Sequence, residues 1–209
     1  MGAVGPSSKS LEDYGYMLES AILFVTDMKL GTCWLGGSFT RSSFARKISA
    51  TVEGLVPAVA SVGYILKKEQ SGVTIRQLVG GHNRKPWENL FFREKFGVPL
   101  SPDDAGPFAG LLEMVRIAPS ASNKQPWRII KDRDSWHFYM QRTRGYGKSF
   151  TFRLLNIADL QRVDMGIAMC HFEFTARELG LKGRWEIKEP KIEKPNALCE
   201  YTISWIGEV

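Results

Sequence analysis

The sequence predicts an α+β domain in which helices surround a sheet. Three observations predict it: amphipathic helical stripes alternate with short apolar strand segments, the composition is that of a globular protein, and one helix-to-strand segment occurs twice. The 209 residues are 44% hydrophobic and 24% charged, which is typical of a folded rather than a disordered chain. A chain of this length can form one sizeable domain, or two small ones that share a core.

The first long helix is predicted from Asp13, in the segment DYGYMLESAILFVTDMKLGTCW. Leu18, Ile22 and Val25 recur at spacings of three and four, which is the apolar stripe of an amphipathic helix. Asp13 stands where an N-cap side chain would accept the first free backbone N–H groups. An apolar strand is predicted next, in residues 56–68.

The middle of the chain contains a second predicted helix and a strand hairpin. Residues 101–117, SPDDAGPFAGLLEMVRI, are typical of a capped helix. The loop APSASNKQPW, residues 118–127, follows with two prolines around small and polar side chains. PWRIIKD and SWHFYMQ are the predicted strands, and the turn DRDS joins them.

The last long helix repeats the first. It begins at Asp164 with DMGIAMCHFEFTARELGLKGRW, and a constant offset pairs Asp13 with Asp164, Gly15 with Gly166 and Trp34 with Trp185. A chance match of two generic helices is the alternative, but the shared Asp-x-Gly start and the shared tryptophan favour duplication. A final strand with alternating residues is predicted at 197–206. We therefore expect two halves, residues 1–90 and 91–209, interlocked in one domain.

The composition narrows the function classes. Three cysteines at wide spacing form neither a disulfide framework nor a CxxC pair, and three scattered histidines lack metal-site spacing, so we expect no metal and a reducing compartment. The longest apolar runs are far shorter than the roughly 20 residues of a membrane span. The N-terminus also lacks the apolar core of a signal peptide. These features predict a cytoplasmic protein without a membrane span.

The formal charge of +6 raises the question of nucleic acid, because basic surfaces attract phosphate. Lys and Arg are spread among acidic residues, however, and no basic arm or recognised nucleic-acid module occurs. GYGKS, residues 145–149, ends like a phosphate-binding loop, but the required earlier glycine is replaced by Arg142. We therefore expect small anionic molecules as partners, and no nucleic acid.

Three segments resemble the nitroreductase superfamily of flavin enzymes: residues 111–130, LLEMVRIAPSASNKQPWRII; residues 30–39, LGTCWLGGSF; and residues 83–91, NRKPWENLF. More narrowly, the chain is similar to single-chain nitroreductase-like proteins in which two half-domains are fused into a pseudo-dimer. The likeness runs from about Asp13 to Trp205. It implies a nitroreductase-like fold of two pseudo-symmetric halves, with helices around a mixed or antiparallel sheet and FMN bound where the halves meet.

One motif of the superfamily is missing from this sequence. The superfamily's Arg-x-Ser-x-Arg opening has no counterpart in the first half, and its equivalent in the second half, residues 91–100, lacks the serine and the second arginine. We therefore expect a single FMN site, in a chain that lacks the N-terminal segment of the fused relatives.

The resemblance implies a composite cofactor site. The loop that packs against the flavin ring is matched by Pro119, Ser120, Ala121, Ser122 and Asn123. The acidic-x-Gly helix start, whose backbone N–H groups face flavin N5 and O4, is matched by Asp13, Tyr14 and Gly15. The basic residues that grip the phosphate are matched by Arg84 and Lys85.

A flavin also suits this loop on physical grounds. Small side chains let the backbone approach a flat ring. Reduction places negative charge on the N1–C2=O edge, which requires fixed hydrogen-bond donors. The phosphate requires fixed positive charge, which Arg84 can supply through bidentate bonds.

The sequence therefore predicts an FMN-dependent oxidoreductase that takes electrons from NAD(P)H and reduces a small nitroaromatic or quinone-like molecule. No side chain has to act as acid or base, so we name no catalytic residue. Two alternatives stay open: a flavin-binding or degenerate scaffold protein without turnover, and a basic nucleic-acid binder. We expect a monomer, or a homodimer if the missing segment leaves surface exposed.

Overall fold

The computed structural model describes residues 7–36, 56–65, 83–147 and 158–208, with the single residues 3, 5 and 80. Contacts divide the chain into two units. The first unit comprises Met1–His82 and Gly145–Cys170, and the second comprises Asn83–Arg144 and His171–Val209.

The first unit contains one long helix, one strand pair and the beginning of a second long helix. Helix α1 spans Ser10–Asp27, strand β1 spans Gly31–Leu35, and strand β2 spans Val59–Gly63. The two strands are antiparallel, with Gly31 opposite Gly63 and Leu35 opposite Val59. The second long helix, which we name α4, spans Leu160–Glu178.

Helix α1 and the first part of α4 approach each other closely at two glycines. A Cβ atom at Gly15 would overlap the carbonyl oxygen of Val163, and one at Gly166 would overlap the carbonyl oxygen of Glu12. The two contacts are equivalent under the offset that relates Asp13 to Asp164. Glycine is therefore required at both positions by the distance between the helices, since any side chain would force them apart.

The second unit is built on a five-stranded mixed sheet. The strands of this sheet are β3 (Phe91–Arg93), β4 (Trp127–Asp132), β5 (Ser135–Gln141), β6 (Gly183–Glu186) and β7 (Cys199–Gly207). Two shorter helices, α2 (Pro102–Ala105) and α3 (Ala109–Ile117), lie between β3 and β4 in the chain. The strand order is β3-β4-β5-β7-β6. Only the β3–β4 pair is parallel, and the other three pairs of this sheet are antiparallel.

Aromatic side chains form the core on one face of this sheet. Phe172, from the second half of α4, contacts the ring of Phe138 edge-on at a centroid distance of 5.2 Å. Trp185 meets Trp205 at 5.0 Å in the same manner. Such edge-to-face pairs add to the stabilisation from burial alone. The other face holds a second cluster around Ile130, Tyr139 and Cys199.

Two expectations about helix ends are wrong. Asp13 is not an N-cap, because α1 begins at Ser10 after Lys9, and the second long helix begins at Leu160 and not at Asp164. The extra turn of α1 is held by buried Leu11 and by Glu12, which accepts a 2.8 Å hydrogen bond from Nε of Arg162. These tertiary contacts extend the helix past the residue that its sequence favours as a cap.

The predicted helix of residues 101–117 is divided into two. Ser101 caps α2, and its hydroxyl accepts a 3.1 Å hydrogen bond from the backbone N–H of Asp104. A 3₁₀ turn at Gly106–Phe108 then separates α2 from α3. Gly106 has a φ of +59° and Pro107 follows it, so a continuous α-helix cannot pass through this point.

The predicted strands at residues 126–132, 135–141 and 197–206 are confirmed as β4, β5 and β7, and β2 lies within the predicted 56–68. Strands β1, β3 and β6 were not predicted, since they have five, three and four residues and show no clear alternation. Residues 66–68 of the predicted strand, 37–39 of the resemblance and 148–149 of GYGKS lie outside the described residues.

The predicted halves, residues 1–90 and 91–209, differ from the two units. Residues 83–90 belong to the second unit and residues 145–170 to the first. A duplicated segment need not coincide with a unit defined by contacts, because a chain can exchange elements between its halves. The halves therefore stay a prediction.

Candidate functional site

The loop between α3 and β4 has a strained backbone. Ser122, Asn123 and Gln125 have φ values of 49°, 52° and 46°, in the left-handed region that costs residues with a side chain roughly 1–2 kcal/mol each. Strain of this kind persists only where surrounding bonds hold it, and it is concentrated at functional sites. The loop is therefore a candidate site on geometry as well as on sequence.

Gln125 is buried beneath the loop and holds it through hydrogen bonds. It is 2% exposed. Its backbone N–H donates to the Ser120 hydroxyl at 2.9 Å, and its side-chain amide donates to Asn123 Oδ1 at 2.9 Å. Its Oε1 accepts from the backbone N–H of Lys85 at 2.8 Å. Sequence reasoning missed Gln125, whose signal was a polar residue directly before Pro126 and an apolar strand.

Arg84 fastens the loop to the end of α3. Its Nη2 and Nε donate to the carbonyl oxygen of Ile117 at 2.8 and 3.2 Å, and its Nη1 donates to Asn123 Oδ1 at 3.2 Å. Ile117 is the last residue of α3, where the helix dipole favours a cation. The predicted phosphate contact of Arg84 stays a prediction, and the structure gives the side chain this positioning role as well.

Lys85 turns toward the same loop. Its Nζ donates to the carbonyl oxygen of Gln125 at 3.2 Å. Partial burial, together with the charges of Arg128 and Lys124, lowers the pKa of Lys85 to about 8. A lysine with a lowered pKa beside other cations is typical of a site that receives an anion.

The loop leaves small groups open to a ligand. Ser122 and Lys124 are exposed, and the other predicted loop residues, Pro119, Ser120, Ala121 and Asn123, are partly exposed. Ala121–Asn123 form a single 3₁₀ turn. The surface is therefore small in side chains and rich in polar groups, which fits one face of a planar ring with polar edges.

Asp13, Tyr14 and Gly15 lie in the first unit, on α1. Tyr14 is buried, and its hydroxyl donates to the carbonyl oxygen of Ala58. Partial burial and the nearby charge of Glu12 raise the pKa of the Asp13 carboxyl.

The backbone N–H groups of these residues do not fit the predicted role as flavin donors. The N–H of Asp13 already donates to the carbonyl oxygen of Lys9 at 2.9 Å. N–H groups beyond the first helical turn have acceptors inside the helix, so those of Tyr14 and Gly15 are committed too. That the three residues contact the cofactor stays a prediction.

The structure thus brings Arg84, Lys85 and the loop together in the second unit, through hydrogen bonds centred on Gln125. A cavity of about 310 Å³ opens at the far end of β4, lined in part by Arg133, Asp134, Lys182 and Glu208. It includes no predicted site residue. Since its exposed charges are of both signs, it favours no ligand class.

Within the described ranges, no group of three or more His, Cys, Asp or Glu side chains is placed to hold a metal ion. The described helices also include none that is both long enough and apolar enough to cross a membrane.

Comparison with known proteins gives a fold and a family. No curated protein matches the sequence. Among solved structures, the chain resembles the crystal structure of a protein from Thermotoga maritima MSB8 that is described as "a putative nitroreductase". The TM-score is 0.61 at 21% identity, and the match covers 98% of this chain and 68% of that chain. At this identity the likeness shows the fold, and it confirms the predicted α+β, nitroreductase-like class.

The profile of a protein family described as "Putative TM nitroreductase" matches residues 2–176. That match spans most of the 209 residues, and it includes both long helix starts and the strained loop. The chain therefore belongs to this nitroreductase family.

Proposed function

We propose that the protein is an FMN-dependent oxidoreductase of the nitroreductase type, which takes electrons from NAD(P)H and reduces a small nitroaromatic or quinone-like molecule. Family membership supports the oxidoreductase class. The observation that carries the cofactor assignment is the strained loop of residues 118–126, whose left-handed backbone is held by buried Gln125.

The exposed surface of this loop fits a flavin. Its exposed surface combines small side chains with a 3₁₀ turn, so a flat ring can approach the backbone. Lys124 is exposed beside that surface and can place positive charge near the ring edge that becomes negative on reduction. The helix start at Asp13, Tyr14 and Gly15 fits less well, because its N–H groups are committed within α1.

When bound, FMN supplies the electron transfer between nicotinamide and acceptor. The chain's own part is binding and orientation. Pro119, Ser120, Ala121, Ser122 and Asn123 would cover one ring face, and Arg84 would keep the loop in its binding conformation. Arg84 and Lys85 together supply the positive charge that a phosphate requires. No acid or base is assigned among them.

The alternative is a flavin-binding or degenerate scaffold without turnover. One observation favours it: Gly15, which the resemblance assigns to the ring, is required for helix packing instead. Consumption of NAD(P)H in the presence of FMN and a nitro compound separates the two, since a scaffold would bind flavin and leave the nicotinamide unoxidised.

We also propose that the chain is an internally duplicated pseudo-dimer. In each half, a long helix precedes an antiparallel strand pair, β1–β2 in one and β6–β7 in the other. The reciprocal contacts of Gly15 and Gly166 obey the same offset as the sequence repeat. We further propose a cytoplasmic location, a small-molecule substrate and no nucleic-acid partner.

The first test is flavin binding by the purified chain. We expect FMN fluorescence to be quenched and the thermal midpoint to rise when FMN is added. Ala121→Trp places a large ring on the loop surface and should weaken FMN binding at least about tenfold, a difference of roughly 1.4 kcal/mol.

Asp134→Trp is the matched control, because it adds the same ring at an exposed turn at the opposite end of β4. It should bind FMN like the wild type. If the wild type neither quenches flavin fluorescence nor gains stability, the proposed cofactor site is wrong.

A further inference from the structure

Strand β2 has one edge to which the described residues add no further strand. On its other side β2 pairs with β1, and the described parts of these two strands form a sheet of their own. None of the described backbone hydrogen bonds outside that pair reaches β2. A two-stranded sheet is only marginally stable in water, and an open edge is a template for another strand.

The internal repeat shows what lies beside the equivalent strand of the second unit. Trp34 corresponds to Trp185 under the repeat. The first pairs with Ala60 of β2, and the second pairs with Trp205 of β7, so β2 corresponds to β7. On its far side β7 pairs antiparallel with β5, where Trp205 lies opposite Trp136. The equivalent place beside β2 is therefore that of an antiparallel strand.

Helix α1 has an open apolar face that leads to the same comparison. Met17 and Phe24 are exposed, and their spacing of seven residues places them on one face of the helix. Ala21 lies on that face and is also exposed. Its equivalent under the repeat is Phe172, which is buried and packs edge-on against Phe138 of β5. In the second unit, a strand beside β7 thus covers the helix face that α1 leaves open.

The sequence around β2 suits pairing with a second copy of itself. Residues 54–66, GLVPAVASVGYIL, contain no charged residue, whereas edge strands are commonly protected by charged side chains. Val62 and Tyr64 are exposed apolar residues of this segment. Two such strands can lie side by side without like charges opposite each other. A two-fold axis between identical edges turns one strand against the other, so the pairing is antiparallel.

We propose that two copies of the chain associate through β2, which pairs antiparallel with β2 of the second copy. The strand order becomes β1-β2-β2-β1, and every neighbouring pair in it is antiparallel. The second unit has the same arrangement in β6-β7-β5-β4. The second copy's β2 therefore takes the place that β5 has beside β7, where it can cover the open face of α1.

This interface is additional to the contact between the long helices. The reciprocal approach of Gly15 and Gly166 joins α1 to α4 within one chain. We base the interface on the proposed duplication and on β2 itself, and not on the flavin site. A failed flavin titration therefore leaves it unchanged, and a failed association experiment leaves the flavin site unchanged.

The first experiment is sedimentation equilibrium of the full chain over a range of micromolar concentrations. We expect the mass to rise from 23.5 kDa toward twice that value as the concentration increases. A wild-type protein that stays at 23.5 kDa at every concentration overturns the inference.

Charge variants then locate the interface. Val62→Lys adds a charge at the end of β2, and Phe24→Lys adds one on the open face of α1. Both positions are exposed, so the thermal midpoint should stay close to that of the wild type. Each variant should associate at least about tenfold more weakly, because the two-fold axis brings two like charges into the interface.

Ile187→Lys is the matched control, since it adds the same charge at an exposed apolar residue of the second unit. Its association should equal that of the wild type. Equal association of the wild type and all three variants overturns the inference, and so does a loss that is confined to Ile187→Lys.

Cross-linking tests the strand pairing itself. Ser61 is exposed at the centre of β2, and central residues of two antiparallel strands lie opposite each other. In a Cys33→Ser background, where Cys170 and Cys199 are buried, a short bis-maleimide should join Ser61→Cys to its copy. Lys95→Cys, at an exposed position after β3, is the control and should stay unlinked. Linkage through Lys95→Cys and not through Ser61→Cys overturns the inference.

Discussion

At the residue scale, Gly15 and Gly166 set the distance between α1 and α4. Alanine is normally the better helix former, by about 1 kcal/mol over glycine. At these positions, however, its Cβ would overlap the backbone of the facing helix. We predict that Gly15→Ala and Gly166→Ala each lower the free energy of unfolding by about 1–3 kcal/mol, the usual cost of overpacking. Urea denaturation measures the change.

Gly110→Ala is the matched control for this prediction. Gly110 lies in α3, and a Cβ there would have no atom within 4 Å. The same substitution should therefore leave stability unchanged or raise it by up to about 1 kcal/mol. A Gly15→Ala variant as stable as Gly110→Ala would show that the helices can separate without cost.

His137 is a buried residue that should make stability depend on pH. Its Nδ1 lies 2.7 Å from the Ser204 hydroxyl, and burial lowers the pKa of His137 below its usual 6.5. Below pH 6.5 the unfolded chain therefore binds the proton more readily than the folded one. We predict that the free energy of unfolding falls as pH drops from about 6.5 toward the folded pKa, by at most about 1.4 kcal/mol per pH unit.

The measurement is denaturant unfolding at several pH values between about 5 and 8. His137→Gln keeps a hydrogen-bonding group near Ser204 and removes the titration, so its stability should fall less steeply on acidification. An identical slope in the two proteins would assign the acid sensitivity to other groups.

At the element scale, each long helix is tied to the strand that follows it by a tryptophan. Trp34 of β1 donates to Oε2 of Glu19 on α1 at 2.7 Å, and Trp185 of β6 donates to Oε2 of Glu173 on α4 at 2.7 Å. The tryptophans match under the repeat, whereas the glutamates are one helical turn apart. The same kind of hydrogen bond is therefore present after both long helices, with its carboxylate at different turns of the two helices.

We predict that Trp34→Phe lowers the free energy of unfolding by about 1.5–3 kcal/mol, because it removes a hydrogen bond to a carboxylate that is 2% exposed. Thermal or urea unfolding measures the change. Trp87→Phe is the control, since the Trp87 indole donates to a neutral acceptor, the carbonyl oxygen of Leu100, and should cost about 1 kcal/mol. Equal losses would mean that packing, and not the charged bond, sets the cost at Trp34.

At the scale of the whole molecule, the three cysteines differ in access. Cys33 is exposed, while Cys170 and Cys199 are buried, and burial raises the pKa of Cys199 to about 11. Thiolates are the reactive form. We predict that a thiol reagent labels one cysteine in the native protein and three after denaturation. Cys33→Ser should abolish the native labelling, and rapid labelling of that variant would show that a buried thiol becomes accessible.

Much of the fold could be predicted because the relevant patterns are local. The spacing of Leu18, Ile22 and Val25 predicts α1, and the alternation in residues 197–206 predicts β7. The cap at Asp13 was wrong because buried Leu11 and the contact between Glu12 and Arg162 extend the helix. Strand β3 was missed because its three residues have no pattern of their own and pair with β4 across the fold.

The sequence by itself determined the family, the repeated helix-to-strand segment and the position of the small polar loop, because each depends on residues that are neighbours along the chain. Only the tertiary structure decided what those residues contact. Gly15 packs against Val163, and Gln125 accepts a hydrogen bond from the backbone N–H of Lys85. Arg128 meets Lys85 at one carbonyl oxygen. These contacts join residues that are distant in sequence, and the chain has to close its helices and strands before any of them can form.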